Sequence, residues 1–282
     1  MRAFGWVGLS AFLACAPPPD GFEVPADAGG DDMEALLAAG PPLDVYLIAG
    51  QSNAVGGARL ARLPAAQREI YGSADLPFGF AQELNCATDL AGAPCELSTG
   101  WDRLAPRAGS FGIELSAGRR LRDRFGADVA IIKHASNGAS LFADWHADGV
   151  LWGQMNEFVD ARLAELPDGS RIAGLFWIHG NADAKLADAA DDYAENLSWF
   201  ITRLREERGC LPVVIDRLHI QTPPPYRDVV RREQEGLGQL LDHVVVVDTD
   251  DLALRDDPPQ HYAAASFITL GERMADAMPT CD

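Results

Sequence analysis

Positive charge is scarce in this chain: 23 Lys and Arg stand against 42 Asp and Glu, a formal net charge of −19. So acidic a surface makes nucleic acid and anionic membrane surfaces poor partners. Long apolar runs are missing too. The apolar stretch near the start covers only residues 3–14, too short for a helix that spans a bilayer. Cysteine is sparse, five in 282 residues, with no Cys-x-x-Cys pair and no His at ligand spacing beside any of them. A metal reading of the cysteines is therefore weak. There is no internal repeat. With 48% hydrophobic residues the chain can build one sizeable core, and a single domain suffices.

What is there begins with Arg2, the short apolar stretch and Phe12-Leu13-Ala14-Cys15. Small residues before a Cys suit signal cleavage after residue 14, leaving Cys15 as a lipid-carrying N-terminus. Residues 1–14 are thus expected to be an export signal like that of bacterial lipoproteins. Phe12 stands where such signals have Leu, so plain secretion is the alternative. Localisation in the cell envelope follows, periplasmic or on the outer surface, with membrane contact only through the lipid. Ala16 carries no inner-membrane retention signal of the Asp kind, by resemblance to known sorting rules. Residues 15–42, rich in Pro, Ala, Gly and Asp, read as a flexible tether, and the domain as residues 43–282. An exported chain permits disulfides, and the spacing predicts Cys86 with Cys95 and Cys210 with Cys281.

Five short apolar runs rich in β-branched residues, at 45–49, 129–133, 172–178, 213–220 and 244–247, read as strands buried on both faces. Helical patterns lie between and after them, at 113–124, 151–166, 187–208, 227–241 and 264–278. This alternation predicts an α/β fold, a three-layer α/β/α sandwich on a five-stranded parallel sheet. Residues 56–110, with many Ala, Gly and Pro, read as loops over the site. In such sheets functional groups gather at the carboxyl ends of strands.

After the first strand comes Gly50-Gln51-Ser52-Asn53-Ala54-Val55-Gly56, a Ser on a glycine-bounded turn into a helix. The run VYLIAGQSNAVG resembles the first block of SGNH hydrolases of the sialate O-acetylesterase and carbohydrate esterase family six group. The resemblance implies a flavodoxin-like SGNH hydrolase fold with Ser52 as nucleophile. After the second strand, Lys133-His134-Ala135-Ser136-Asn137-Gly138 is similar to the family's second block, which gives Gly138 an oxyanion-binding amide. The third block, Trp177-Ile178-His179-Gly180-Asn181-Ala182-Asp183, departs from the family's WxQGExD. His179 replaces Gln and Asn181 replaces Glu, while Trp177, Gly180 and Asp183 agree. Either new side chain carries an N–H for an oxyanion, and Asn181 is preferred over His179.

Asp256-Asp257-Pro258-Pro259-Gln260-His261 resembles the family's DxxH block and makes His261 the base. Its spacing is one residue longer, so Asp257 is the first choice for the acid and Asp256 the second. His134, His146, His219 and His243 lack such context and are assigned no chemistry. The resemblance runs from about residue 43 to 278 and includes Phe111-Gly112-Ile113-Glu114-Leu115 and Arg232-Glu233-Gln234. It implies a serine esterase that removes acetyl groups from carbohydrate esters, without metal or other cofactor. The alternative, motivated by the altered third and fourth blocks, is a carbohydrate-binding surface lipoprotein with weakened or lost turnover.

Overall fold

The computed structural model describes Met33, Leu37 and residues 40–82, 96–126, 128–146, 149–256 and 259–281. The sheet is built on β1 (Asp44–Gly50), β2 (Ala74–Gln82), β3 (Val129–Ala135), β4 (Arg171–Ile178), β5 (Val213–Asp216) and β6 (Val244–Val247). Its spatial order is β6-β5-β4-β1-β3-β2, and all neighbours in that series run parallel. Two short strands, Glu96–Leu97 and Asp102–Leu104, pair antiparallel with β2.

The five-stranded expectation is corrected by β2, which lies inside the stretch read as loops. Its sequence, ADLPFGFAQ, carries Pro77 and Gly79, both depleted from strands. Pro77 sits at the register shift against Asp102–Leu104, a place where a missing N–H is tolerated. Beyond it, Phe78 to Gln82 pair in register with Ile131 to Ala135. The helical pattern at 187–208 is in fact two helices, Ala187–Asp191 and Tyr193–Arg208, broken at Asp192.

Alternation along β1 shows how the layers form. Val45, Leu47 and Ala49 point to one face and pack with Met155, Phe200 and Val230, which belong to α3 (Val150–Leu163), α4 (Tyr193–Arg208) and α5 (Arg227–Leu240). Tyr46 and Ile48 point to the other and pack with Leu121 of α2 (Glu114–Phe125) and Phe267 of α6 (Ala264–Ala277). A short α1 (Ser52–Val55) follows β1. Each fully buried apolar side chain of this kind contributes roughly 1.5–3 kcal/mol. The fold is a three-layer α/β/α sandwich.

Met33 and Leu37, which the tether reading places outside the domain, are helical and buried in the first of these cores, at 1% and 5% exposure. Cys210 and Cys281 form a disulfide that ties the end of α4 to the chain terminus. Cys15, Cys86 and Cys95 lie outside the described residues. Among the described residues, no helix is long and apolar enough to cross a membrane.

From β1 the chain moves first to one side of the sheet, through β2 and β3, and then to the other, through β4 to β6. Loops leaving the carboxyl ends of β3 and β4 therefore diverge around the end of β1 and open a crevice there. Ser52 stands two residues past that end.

Candidate active site

The turn that carries Ser52 is set by contact with β4. Gly50 has φ 138°, and a Cβ on it would lie 2.1 Å from the Ile178 carbonyl oxygen, so no other residue fits there. Gln51 N–H donates to that same oxygen at 3.0 Å. Ser52 opens α1, and its N–H is among those without an intrahelical acceptor. The Gln51 side chain accepts the Ala182 N–H at 3.1 Å, tying this turn to the loop after β4.

His261 reaches Ser52 from a loop near the C-terminus. Leu254 bridges Tyr262, and Arg255 N–H donates to His261 O at 2.8 Å, so the chain returns on itself and puts His261 near the tip of a hairpin-like loop. At that tip His261 Nε2 lies 3.0 Å from Ser52 Oγ, across 209 residues of sequence. Asn53 holds the tip from both sides: its Nδ2 donates to Gln260 O at 2.9 Å and its Oδ1 accepts Tyr262 N–H at 3.3 Å. The GQSN motif contained this residue, but nothing in it gave Asn53 a role apart from its neighbour Ser52.

Burial, and after it the Arg255 cation, push the His261 imidazole down to about 4. At neutral pH the ring is uncharged and its Nε2 can accept a proton. His261 Nδ1 is buried and has no hydrogen-bond partner among the described residues. Asp256 is exposed, and Asp257 lies outside the described residues.

The loop after β4 folds around a buried carboxylate. Asp183 accepts Leu141 N–H at 3.0 Å, Phe142 N–H at 2.9 Å and the Ser140 hydroxyl at 3.3 Å, and so shapes the loop after β3. Gly138, in that loop, is exposed with φ 70°; a Cβ on it would meet nothing within 4 Å, so its glycine is demanded by conformation rather than by crowding. His179 is buried, with Nε2 2.8 Å from Ala139 O and Nδ1 3.3 Å from the Tyr193 hydroxyl. Burial holds its imidazole below the ordinary range, against the pull of Asp183. Asn181 is buried as well, and its Oδ1 has no hydrogen-bond partner among the described residues.

Gln51, Asn53, His179 and Asn181, together with Asp216 and His219, line a small cleft beside the Ser52 turn, one that Ser52, Gly138 and His261 do not themselves line. Asp216 accepts His179 N–H at 3.1 Å and the Tyr262 hydroxyl at 3.3 Å, and burial raises its carboxyl well above the usual carboxylate range. No sequence pattern marked Asp216, because its role depends on which strand ends meet. His219 is fixed in place, Nε2 donating to Leu252 O at 3.0 Å and Nδ1 accepting Gln221 N–H at 3.0 Å. His134 is buried in β3 with both ring nitrogens unpartnered among the described residues, and burial pushes it down to about 4. Among the described residues, no group of three or more His, Cys, Asp or Glu is placed to hold a metal ion.

Residues 42–280 match the family described as carbohydrate esterase, sialic acid-specific acetylesterase. A probable carbohydrate esterase of Arabidopsis thaliana is 24% identical over 253 residues, covering 88% of this chain and 95% of the relative. The solved structure of an Arabidopsis thaliana protein superposes with a TM-score of 0.66 at 20% identity, over 86% of this chain and all of the other. A carbohydrate acetylesterase from Xanthomonas citri gives 0.57 at 20% identity, over 83% of this chain and 55% of its own. At such identities the structural likeness speaks for the shared fold.

Proposed function

The chain belongs to the carbohydrate esterase, sialic acid-specific acetylesterase family, a carboxylic ester hydrolase family, and from that premise we propose that it removes acetyl groups from a carbohydrate ester through a covalent acetyl-serine. The observation that carries this reading is the 3.0 Å contact between Ser52 Oγ and His261 Nε2. Nucleophile and base stand at hydrogen-bond distance, and the base is neutral when it must accept the proton.

In the proposed reaction His261 takes the Ser52 proton as Oγ attacks the acetyl carbonyl. The oxyanion formed is held by backbone N–H groups of Gly138 and Ser52 and by the Asn181 side chain. Collapse expels the sugar oxygen, which receives the proton from His261. Water, activated by the same imidazole, then releases acetate. Asn181 is preferred to His179 because both His179 ring nitrogens lie against protein groups, Ala139 O and the Tyr193 hydroxyl. For the acid that steadies the imidazolium we propose Asp257, with Asp256 as second choice. No metal or organic cofactor enters this scheme. An acetylated sugar, with sialic acid as the family description suggests, is the proposed substrate.

The second reading, a binding protein with weakened turnover, rests on the altered third block, where His179 and Asn181 stand for the family's Gln and Glu. Reaction with a fluorophosphonate probe decides between them. Covalent labelling mapped to Ser52 supports the esterase; sugar binding without labelling supports the binding protein. For residues 1–42 we propose export and a lipid on Cys15, tested by metabolic palmitate labelling that disappears in Cys15→Ser.

A further inference from the structure

An ion pair lies buried beneath the turn that carries Ser52. Lys133, on β3, is 2% exposed at its side chain, and its Nζ lies 3.0 Å from Oε2 of Glu114, which is 3% exposed. Removing two charges from water costs several kcal/mol per ion, and the folded sheet would be served as well by an apolar pair of similar volume. The fold alone does not account for the charges.

Their contacts do. Lys133 Nζ also donates to the Val55 carbonyl at 3.1 Å. Val55 is the last residue of α1, a helix of four residues whose first is Ser52. So short a helix has two hydrogen bonds typical of its class, Val55 N–H to Gln51 O and Gly56 N–H to Ser52 O, each 2.9 Å, and little cooperative stability. A cation on its terminal carbonyl supplies a partner to one of the acceptors that the helix leaves open and complements the helix end. Glu114 is anchored in turn, its Oε1 accepting Gly112 N–H at 2.8 Å at the start of α2. A chain of contacts thus runs from α2 through Glu114 and Lys133 to the end of α1. Asn53, in the same helix, grips the loop of His261 from the other side.

We propose that Lys133 is a positioning residue for the nucleophile: its ammonium holds α1 through the Val55 carbonyl, and Glu114 serves as its countercharge. The inference rests on the reading of Ser52 as nucleophile. In that case a loose α1 would leave the substrate bound but the attack geometry spoiled, and near-attack alignment is sensitive to displacements of about 1 Å.

The test is steady-state hydrolysis of p-nitrophenyl acetate by the full chain carrying Lys133→Met, Glu114→Gln, or Lys133→Met with Glu114→Leu, with a thermal melt of each. Lys133→Met and the double variant are expected to lose about tenfold or more in kcat with KM within about twofold. The double variant, which leaves no unpaired buried charge, is expected to melt near the wild type while its kcat stays low. Glu114→Gln keeps the Lys133 bond to Val55 and is expected to retain most of kcat at a lower melting temperature. A double variant with wild-type kcat, or losses that follow melting temperature across the three, would overturn the proposal while leaving Ser52 untouched. A wild type without turnover would instead strike the nucleophile reading itself.

Discussion

Asn53 grips the backbone on both sides of His261, donating to the residue before it and accepting from the residue after it. Ser52 and His261 are thus held to each other by the residue next to Ser52. Burial of Asn53 at 6% exposure shields both hydrogen bonds from water.

That grip yields the first prediction. Asn53→Ala frees the loop tip while leaving the Ser52 and His261 side chains in place. Steady-state kinetics on an acetyl ester are expected to show kcat reduced by about 10²-fold with KM little changed. Unchanged kcat would mean the loop holds its position without Asn53.

The protonation state of His261 gives the second. Burial and Arg255 place the imidazole at about 4, below its ordinary 6.5. A carboxylate on Nδ1 favours the charged ring and raises that value. The base works only when neutral, so activity is lost as pH falls through the pKa of the folded enzyme. The acid limb of kcat/KM is therefore expected between about 4 and 6.5 in the wild type. Asp257→Asn should move it down and lower kcat. If the shift appears in Asp256→Asn instead, the acid is Asp256; a limb above 6.5 contradicts the burial argument.

The third concerns the two departures in the third block. Asn181→Ala is expected to lower kcat about 10²-fold or more, the size of a lost oxyanion donor. His179→Ala should leave kcat near wild type in whatever fraction folds, since its contacts are with Ala139 and Tyr193. Rate measurements beside a melt of each variant check this, and the reverse order would give the donor role to His179.

Most of the fold was legible because parallel strands buried on both faces write themselves as continuous β-branched runs, as Val45 to Ala49 and Val213 to Ile215 do. β2 was not legible. Pro77 and Gly79 broke its pattern, and the bulge that accommodates Pro77 exists only once Asp102–Leu104 lies alongside. Met33 and Leu37 were hidden by the Pro and Gly residues around them, although their spacing of four places them on one helix face. In the site, the meeting of Ser52 and His261 was legible because both lie in short blocks that resemble the family's. Asp183 was marked only as a matching position of the third block and Asp216 not at all, since each acts on backbone groups from distant strand ends that only the topology brings together. The acid was blurred by the extra proline, which lengthens the spacing before His261.

The most direct test of the central claim is release of p-nitrophenol from its acetate ester by the wild type, Ser52→Ala and His261→Ala. The account predicts turnover in the wild type and a loss of at least about 10³-fold in each variant. No turnover in the wild type, or turnover undiminished in either variant, would contradict it.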